Sequence, residues 1–368
     1  MSKSIRHSTL ADIDCILTML DNSRSIMRQN GNLSQWVGYP TVDDITADID
    51  AGCSYVVMEQ GCAVGTFALV PGIEPTYGII ENGRWIEPNR HYCTVHRLAK
   101  APGAKGITRF ILDYSASRCD YLRADTHADN NIVRSLFEAY GFVYSGIVYM
   151  DDGSPRRAYE WWRYDEVPAE LKAYIEKEVL PRYRGFDRAH NEQHARRVIA
   201  RAMAMGRRYG VDPRMVYTAA AMHDIGLAEG RERHHLASGR LIREDGRLQE
   251  WFTKAEVEEI AQAAEDHRAS ASKAPRSMVG CIVAEADRDV EPETIVRRTV
   301  EYGLSHYPTL DREGHWRRTL EHLHEKYSER GYIKLWLDDS PNREPLEELR
   351  ELIRDERRLR EMFEIFMR

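Results

Sequence analysis

The chain has 368 residues, which is enough for two domains that each bury a full core. Its formal net charge of -7 leaves no basic excess for a phosphate backbone, so nucleic acid is not an expected partner. The N-terminus lacks the apolar core of a secretory leader, and no segment reaches the roughly 18 apolar residues of a membrane span. We therefore expect a cytoplasmic protein without membrane contact.

The cysteines are scattered and form no CxxC pair, which predicts reduced thiols instead of a disulfide framework or a zinc knuckle. They are Cys15, Cys53, Cys62, Cys93, Cys119 and Cys281.

The first half of the chain mixes strand and helix patterns. "SYVVME", "AVGTFALV" and "HYCTVHRLA" predict strands, and "ITRFILDYSASR" predicts an amphipathic helix. "YLRADTH", "NNIVRSLFEAYGF" and "VYSGIVYM" then continue as strand, helix and strand. These patterns indicate an α+β or α/β layer.

A strand, a short glycine-containing loop and a helix follow one another in "VHRLAKAPGAKGITRFILDY". This arrangement presents backbone N–H groups and a helix N-terminus to a pyrophosphate.

Residues 1–163 resemble the GNAT family of N-acetyltransferases. "IRHSTLADIDCIL" resembles the start of that fold, and "LRADTHADNNIVRSLFEAYGF" with "VYSGIVYM" resembles its second half. The resemblance implies a mixed sheet with flanking helices, acetyl-CoA as cosubstrate and an amine as acetyl acceptor. The residues that it places at the cosubstrate are Leu98, Lys100, Gly103, Lys105, Gly106, Ile107, Thr108 and Asn130.

The sequence departs from the GNAT pattern at two positions. Ala104 occupies the first glycine position of the loop, and Phe137 stands where a tyrosine often serves as general acid. His96 or Asp125 is a candidate base, and each is equally interpretable as a structural residue of its strand. The N-terminal half is therefore either an active acetyltransferase or a module that binds acyl-CoA or mediates oligomerisation without catalysis.

The pattern changes near residues 163–168 and is helical from there on. We predict an N-terminal domain over 1–163 and an all-α C-terminal domain over 168–368 that ends in a charged helical tail. The helices predicted before this tail are 168–182, 190–210, 213–226, 235–248, 253–268, 275–288 and 292–304.

Four of these helices each place a polar side chain on a face that should be apolar. These side chains are His194, His223, Asp287 and His267. Each histidine alone is more often a satisfied core residue, but a shared cavity containing a cation accounts for all four together with the adjacent Asp224. Nitrogen and carboxylate ligands without thiolates favour divalent Mn, Fe, Co, Ni or Zn.

The motifs "HARRV", "HDIG" and "VAEADRD" resemble those of the HD superfamily of metal-dependent phosphohydrolases, over about residues 168–304. The resemblance implies that His194, His223, Asp224 and Asp287 hold one divalent metal. The implied reaction is hydrolysis of a phosphate ester or nucleotide. His190 is a further catalytic candidate that would orient water or substrate.

A second set of ligands follows from dinuclear relatives such as the HD-GYP phosphodiesterases. In "HLASG", His235 and Gly239 have the spacing of a further ligand histidine and its glycine, and His267 fits the last ligand position. These two histidines bind either a second metal or the substrate phosphate. We interpret His234 as a solvated neighbour.

The sequence thus predicts a bifunctional enzyme that hydrolyses a small phosphorylated substrate and transfers an acetyl group. The alternative is an HD phosphohydrolase with a degenerate, regulatory GNAT-like domain, and the least favoured interpretation is a scaffold with two relic sites. A homo-oligomer is compatible with either enzyme.

Overall fold

The computed structural model describes residues 3–186, 190–270 and 273–367. Contacts between Cα atoms divide the chain into two compact units, Met1–Asp165 and Glu166–Arg368. Among the described residues, no helix combines the length and the apolar character needed to cross a membrane.

The N-terminal unit is built on one sheet of seven strands in the order β1-β2-β3-β4-β5-β7-β6. Neighbouring strands are antiparallel except β4 and β5, which are parallel. The predicted mixed sheet is therefore confirmed. Its strands are β1 (Lys3–His7), β2 (Ser54–Glu59), β3 (Cys62–Pro71), β4 (Cys93–Lys100), β5 (Tyr121–Thr126), β6 (Val143–Tyr149) and β7 (Pro155–Trp162).

Helices cover both faces of this sheet. Val56 and Val57 on β2 point to opposite faces because side chains alternate along a strand, and each belongs to a different core cluster. Two helices pack with Val56 and two with Val57. The first pair is α1 (Ile13–Gln29) and α2 (Val42–Asp50), and the second is α3 (Ile107–Arg118) and α4 (Asn131–Tyr140).

The C-terminal unit is helical, as predicted. Its first half packs α6, α7, α9 and α10 against one another, and α8 packs on α9. Its helices are α5 (Ala169–Tyr174), α6 (Glu192–Tyr209), α7 (Pro213–Met222), α8 (His234–Glu244), α9 (Lys254–Asp266), α10 (Met278–Asp287), α11 (Pro292–His306), α12 (Arg312–Tyr327), α13 (Arg343–Arg354) and α14 (Glu356–Phe366).

The charged helical tail that follows α11 is packed through the apolar faces of its helices. Leu346, Leu349 and Leu352 on α13 are buried with Leu359 and Phe363 on α14. Their helical spacing places them on one face of each helix, so the charged residues between them remain on the opposite face.

Candidate functional site

The His-Asp pair lies in the turn directly after α7 and is fully enclosed. His223 is 0% exposed and Asp224 is 1% exposed. The buried Tyr183 fixes this turn, because its hydroxyl donates to the Ala221 carbonyl at 2.9 Å and accepts from the Asp224 N–H at 3.2 Å. The helix therefore ends with its two polar side chains directed into the core.

Two of the predicted ligands lie close to one oxygen of Asp287, at the end of α10. Asp287 Oδ1 lies 3.1 Å from His194 Nε2 and 3.7 Å from His223 Nε2. His223 Nε2 lies 3.3 Å from His194 Nε2 and 3.3 Å from Asp224 Oδ2. The structure thus brings His194, His223, Asp224 and Asp287 together at one point, as the sequence predicts.

A second cluster uses the other oxygen of Asp224. Asp224 Oδ1 lies 3.2 Å from His234 Nε2 and 3.3 Å from His267 Nε2, and these two nitrogens are 3.3 Å apart. Each cluster has the geometry of a metal-binding triad, and Asp224 belongs to both.

The structure differs from the prediction at the histidine doublet of α8. His234 is the histidine that reaches Asp224, whereas the predicted His235 is absent from both triads. Helix α8 begins at His234, one residue earlier than predicted, and adjacent residues of a helix point about 100° apart. The doublet "HH" was the only sequence signal for His234.

The hydrogen bonds of three histidines fix which nitrogen faces the clusters. The Nδ1 atoms of His223, His234 and His267 lie 2.6–2.8 Å from the carbonyls of Ala220, Arg231 and Ala264. Since a carbonyl only accepts, each Nδ1 carries the hydrogen, and each neutral ring directs an Nε2 lone pair inward. Metal-bound histidines typically have this arrangement.

Converging lone pairs and carboxylates need a positive charge between them. In the protein alone, burial lowers the pKa of His223, but the negative charges of Asp224 and Asp287 outweigh it and raise that pKa to about 9. Burial raises the pKa of Asp224, yet His223 and its other histidine partners bring it well below its usual value. A proton on His223 therefore balances part of the negative charge of the two carboxylates, and a divalent cation would balance more of it. The buried Asp224 Oδ1 also lacks a hydrogen-bond partner in the described structure, so the donor set fits a metal.

Glycine is required where α8 approaches the His-Asp turn. A Cβ at Gly226 would lie 2.2 Å from the His234 carbonyl oxygen and 2.4 Å from the Ser238 nitrogen. The Gly226 N–H donates to Ser238 Oγ at 2.9 Å. This close approach brings His234 within reach of Asp224.

A cavity of about 550 Å³ opens next to the first cluster, with His194 and Asp287 in its wall. The predicted His190 also lines it, with its ring centroid 5.7 Å from that of His194. Several arginines line the same wall, and sequence reasoning missed them because they look like ordinary surface residues. They are Arg197, Arg201, Arg231, Arg288, Arg298 and Arg318.

Two carboxylates that directly precede His267, those of Glu265 and Asp266, are engaged elsewhere. Arg276 Nη2 lies 2.6 Å from Glu265 Oε2 and 2.8 Å from Asp266 Oδ1. Both carboxylates are therefore held in ion pairs.

In the N-terminal unit, β4 contains a bulge and then separates from β5. Thr66 pairs with Ala99 and Ala68 pairs with His96, so β4 has one extra residue between them, and Arg97 has a left-handed φ of 54°. β4 and β5 pair only at their first residues, Cys93 with Leu122 and Thr94 with Arg123. Leu98 and Lys100 thus lie in the part of β4 that has no pairing with β5.

The loop after β4 ends at α3, as predicted. The Lys100 ammonium donates to the Ala104 carbonyl at 2.8 Å, and Gly106 provides no side-chain cap for α3. The first-turn N–H groups, including those of Ile107 and Thr108, have no intrahelical acceptors. Gly103 and Lys105 are exposed in this loop.

The other predicted cofactor contact, Asn130, has internal partners. Its Oδ1 accepts from the Val133 N–H at 3.3 Å as the N-cap of α4, and its Nδ2 donates to Gln35 Oε1 at 2.9 Å. Phe137 is buried against Phe142 and Tyr159, so this position has no hydroxyl to donate.

The candidate base His96 has a carboxylate partner that the sequence did not reveal. His96 Nε2 lies 3.1 Å from Glu74 Oε2, and the hydrogen bond to His96 is the main cause that lowers the pKa of Glu74 to about 2. Asp125, the other candidate, accepts a hydrogen bond of 2.7 Å from the Tyr77 hydroxyl and lies 4.0 Å from His96 Nδ1. The four side chains form one polar network.

Comparisons with known proteins agree with the two-part organisation. The family model described as HD domain matches residues 191–290. Curated proteins gave no match.

Solved structures match each part separately. A GNAT family acetyltransferase from Streptococcus agalactiae is 29% identical, covers 44% of this chain and 96% of its own, and has a TM-score of 0.42. A predicted HD superfamily hydrolase from an uncultured Thermotogales bacterium is 19% identical, covers 54% of this chain and 95% of its own, with a TM-score of 0.36. Bacillus subtilis YpgQ, solved in complex with ADP, is 18% identical, covers 52% and 94%, and also has a TM-score of 0.36.

The predicted HD resemblance is confirmed by the family model, whose span contains every residue of both metal-binding triads. Residues 191–290 thus match the HD domain family, and the N-terminal α+β unit is similar to solved GNAT acetyltransferases.

Proposed function

We propose that the C-terminal unit is a metal-dependent phosphohydrolase that acts on a small phosphorylated substrate. The observation that carries this proposal is the convergence of inward-facing histidine Nε2 atoms on the two oxygens of the buried Asp224. His194, His223, Asp224 and Asp287 would hold one divalent cation, and Asp224, His234 and His267 would hold a second.

A bound cation and the residues of the cavity wall would have different roles in the reaction. A divalent cation bound there supplies Lewis acidity toward a phosphoryl oxygen and lowers the pKa of water. His194 and Asp287 face the cavity, so they connect the buried cluster to the space where a substrate fits. His190 lies on the same wall and would orient water or substrate.

The test is elemental analysis of the wild type and of the double variant His223→Ala, Asp224→Ala, followed by a phosphatase and nucleotidase panel with added Mn²⁺, Ni²⁺ or Co²⁺. We expect one to two metals per chain and hydrolysis in the wild type, and neither in the double variant. The exposed His324 provides a control variant, His324→Ala, which should keep both. A wild type without metal would refute the proposal.

We further propose that the N-terminal unit binds acetyl-CoA at the loop 101–106 and transfers the acetyl group to an amine. The observation that favours this function is the contact of His96, on the bulged strand β4, with Glu74. This contact would fix the orientation of His96 as a base for the acceptor amine. The bulge in β4 and the separation of β4 from β5 support an opening in the sheet at Leu98 and Lys100.

Measurements of acetyl-CoA binding and of acetyl transfer to a panel of amines distinguish a catalytic N-terminal unit from a regulatory one. We expect wild-type transfer, and we expect His96→Gln and Glu74→Gln to lower kcat by about 100-fold or more with little change in acetyl-CoA affinity. Binding without any transfer would favour the regulatory alternative.

A further inference from the structure

The cavity beside the metal-binding triads extends beyond the HD domain. Its wall continues onto α11 and α12, which follow the matched residues 191–290. The whole wall contains six arginines and one lysine but two carboxylates, those of Asp287 and Asp289. The chain as a whole, by contrast, has a net charge of -7. This concentration of positive charge is local to the cavity.

Three of these cations come from α11 and α12. They are Arg298, Arg318 and Lys326. Arg318 is held in place, since its Nη1 donates to the Thr299 carbonyl at 3.0 Å and its guanidinium lies 5.2 Å from the ring centroids of Tyr302 and Tyr307. Arg298 pairs with Asp289 at 2.9 Å and remains 45% exposed.

A buried arginine lies directly beside the metal cluster in the chain. Arg288 follows Asp287 directly, is 4% exposed, and lines the cavity. Its Nε and Nη1 atoms are buried without a hydrogen-bond partner in the described structure. Burying such donors costs free energy that an anionic ligand would recover. Arg288 therefore points to an anion within the cavity.

We propose that this cavity binds a polyphosphorylated substrate, with its reacting phosphate at the metal-binding triads and its further phosphates at Arg288, Arg298, Arg318 and Lys326. The proposal rests on the phosphohydrolase function and specifies its substrate class. The wall holds seven cations and two carboxylates, and several phosphates balance this excess of positive charge better than one phosphate does. A cavity of about 550 Å³ has room for a molecule of nucleotide size.

The experiment compares two charge-matched double variants of the full-length, metal-loaded protein. Arg298→Gln, Arg318→Gln removes two cations from the cavity, and Arg297→Gln, Arg317→Gln removes the adjacent arginines of the same helices, which do not line it. Calorimetry in excess Mg²⁺ measures binding of a methylene-bridged nucleoside triphosphate, methylenediphosphonate and a nucleoside monophosphate. The single variant Arg298→Gln is the milder test, because its side chain is partly exposed.

We expect the cavity variant to bind the triphosphate about 10- to 100-fold more weakly, from the loss of charge-assisted hydrogen bonds, and the monophosphate within about 2-fold of wild type. A similar loss for methylenediphosphonate would identify the phosphates themselves as the ligand, whereas a loss for the triphosphate alone would identify a nucleotide. Equal effects of the cavity and control variants would overturn the proposal, as would an equal loss for the monophosphate.

Hydrolysis of p-nitrophenyl phosphate, measured in parallel, reports on the function on which the proposal rests. A wild type that hydrolyses this ester but shows no selective triphosphate binding refutes the substrate class alone. Selective triphosphate binding without hydrolysis of any phosphate ester or anhydride refutes the phosphohydrolase function and leaves the anion site standing.

Discussion

At the residue scale, three backbone carbonyls decide what the buried histidines can bind. By accepting the Nδ1 hydrogens of His223, His234 and His267, they leave each neutral ring with its Nε2 lone pair toward Asp224. The carbonyls belong to residues three positions earlier in the chain, so the helix ends themselves set the tautomers. The ring orientations are thus set before any ligand binds, and a cation would take the place of the proton on His223.

The histidine doublet allows a sharp test of this arrangement. We predict that His234→Ala weakens binding of the second metal equivalent by at least about 10- to 100-fold, because it removes a direct ligand. Loss of a residue that only hydrogen-bonds to a ligand already costs about that much. His235→Ala is the matched control and should leave the stoichiometry unchanged. Metal titration followed by elemental analysis distinguishes the two, and a larger effect at His235 would contradict the assignment.

The raised pKa of His223 predicts how stability depends on pH in metal-free protein. The stabilisation from its proton is fully present below the ordinary value of 6.5 and is lost as pH rises through about 9. The lost contribution is roughly 3 kcal/mol, from about 1.4 kcal/mol per pKa unit. Urea unfolding of wild type and His223→Gln at pH 6.5 and pH 9 should show their difference shrinking as pH rises.

Metal-loaded protein is the control for this prediction. A cation replaces the proton on His223, so the contribution of this residue should no longer fall between pH 6.5 and pH 9. The same fall with metal bound would show that His223 is not a ligand.

At the scale of elements, one carboxylate attaches the C-terminal bundle to the HD core. Glu285 on α10 is fully buried and accepts hydrogen bonds from the backbone N–H groups of Trp336 and Leu337 and from the Ser340 hydroxyl. Asn342 donates to the Glu285 carbonyl at 2.8 Å. The segment before α13 thus completes its hydrogen bonds on the same helix that supplies Asp287.

We predict that Glu285→Ala lowers the free energy of unfolding by about 2–5 kcal/mol, because it leaves two buried N–H groups and a hydroxyl unsatisfied. Glu285→Gln retains one acceptor oxygen and should cost less. Urea denaturation curves measure both, and equal stability of Glu285→Ala and wild type would contradict the role of this contact.

The elements also show what the sequence could and could not predict. Helical spacing located the apolar faces that hold His194, His223 and Asp287, because helix periodicity carries that information directly. The ligand position on α8 was assigned to His235 because of its spacing to Gly239, whereas the structure directs His234 toward Asp224. Neighbouring residues of a helix point about 100° apart, so only one histidine of the doublet can reach Asp224. Arg298 and Arg318 could not be assigned to the cavity, since only the packing of α11 on α12 brings them to one wall.

At the scale of the whole molecule, each unit has a core of its own. The sheet clusters around Val56 and Val57 belong to the first unit, and the bundle around Leu349 and Phe363 belongs to the second. Independent cores predict separate responses to ligands, because a ligand stabilises the unit that binds it.

Scanning calorimetry should therefore show two transitions. We expect Mn²⁺ to raise the midpoint of one and acetyl-CoA to raise the midpoint of the other, each by several degrees at saturating ligand. The variant His223→Ala, Asp224→Ala should abolish the Mn²⁺ shift and keep the acetyl-CoA shift. A single transition that responds to both ligands would show that the units unfold together.

The sharing of Asp224 between the two triads has a consequence for loading at scarce metal. Each of its oxygens faces a different triad, so the first cation to bind withdraws negative charge from the carboxylate that the second cation needs. If both triads bind a cation, as we propose, the two binding events would be anticooperative, and intermediate metal concentrations would favour chains with a single ion. If the proposed hydrolysis requires both ions, activity would rise only at metal concentrations that fill the second triad, so the shared carboxylate would make activity depend on metal supply.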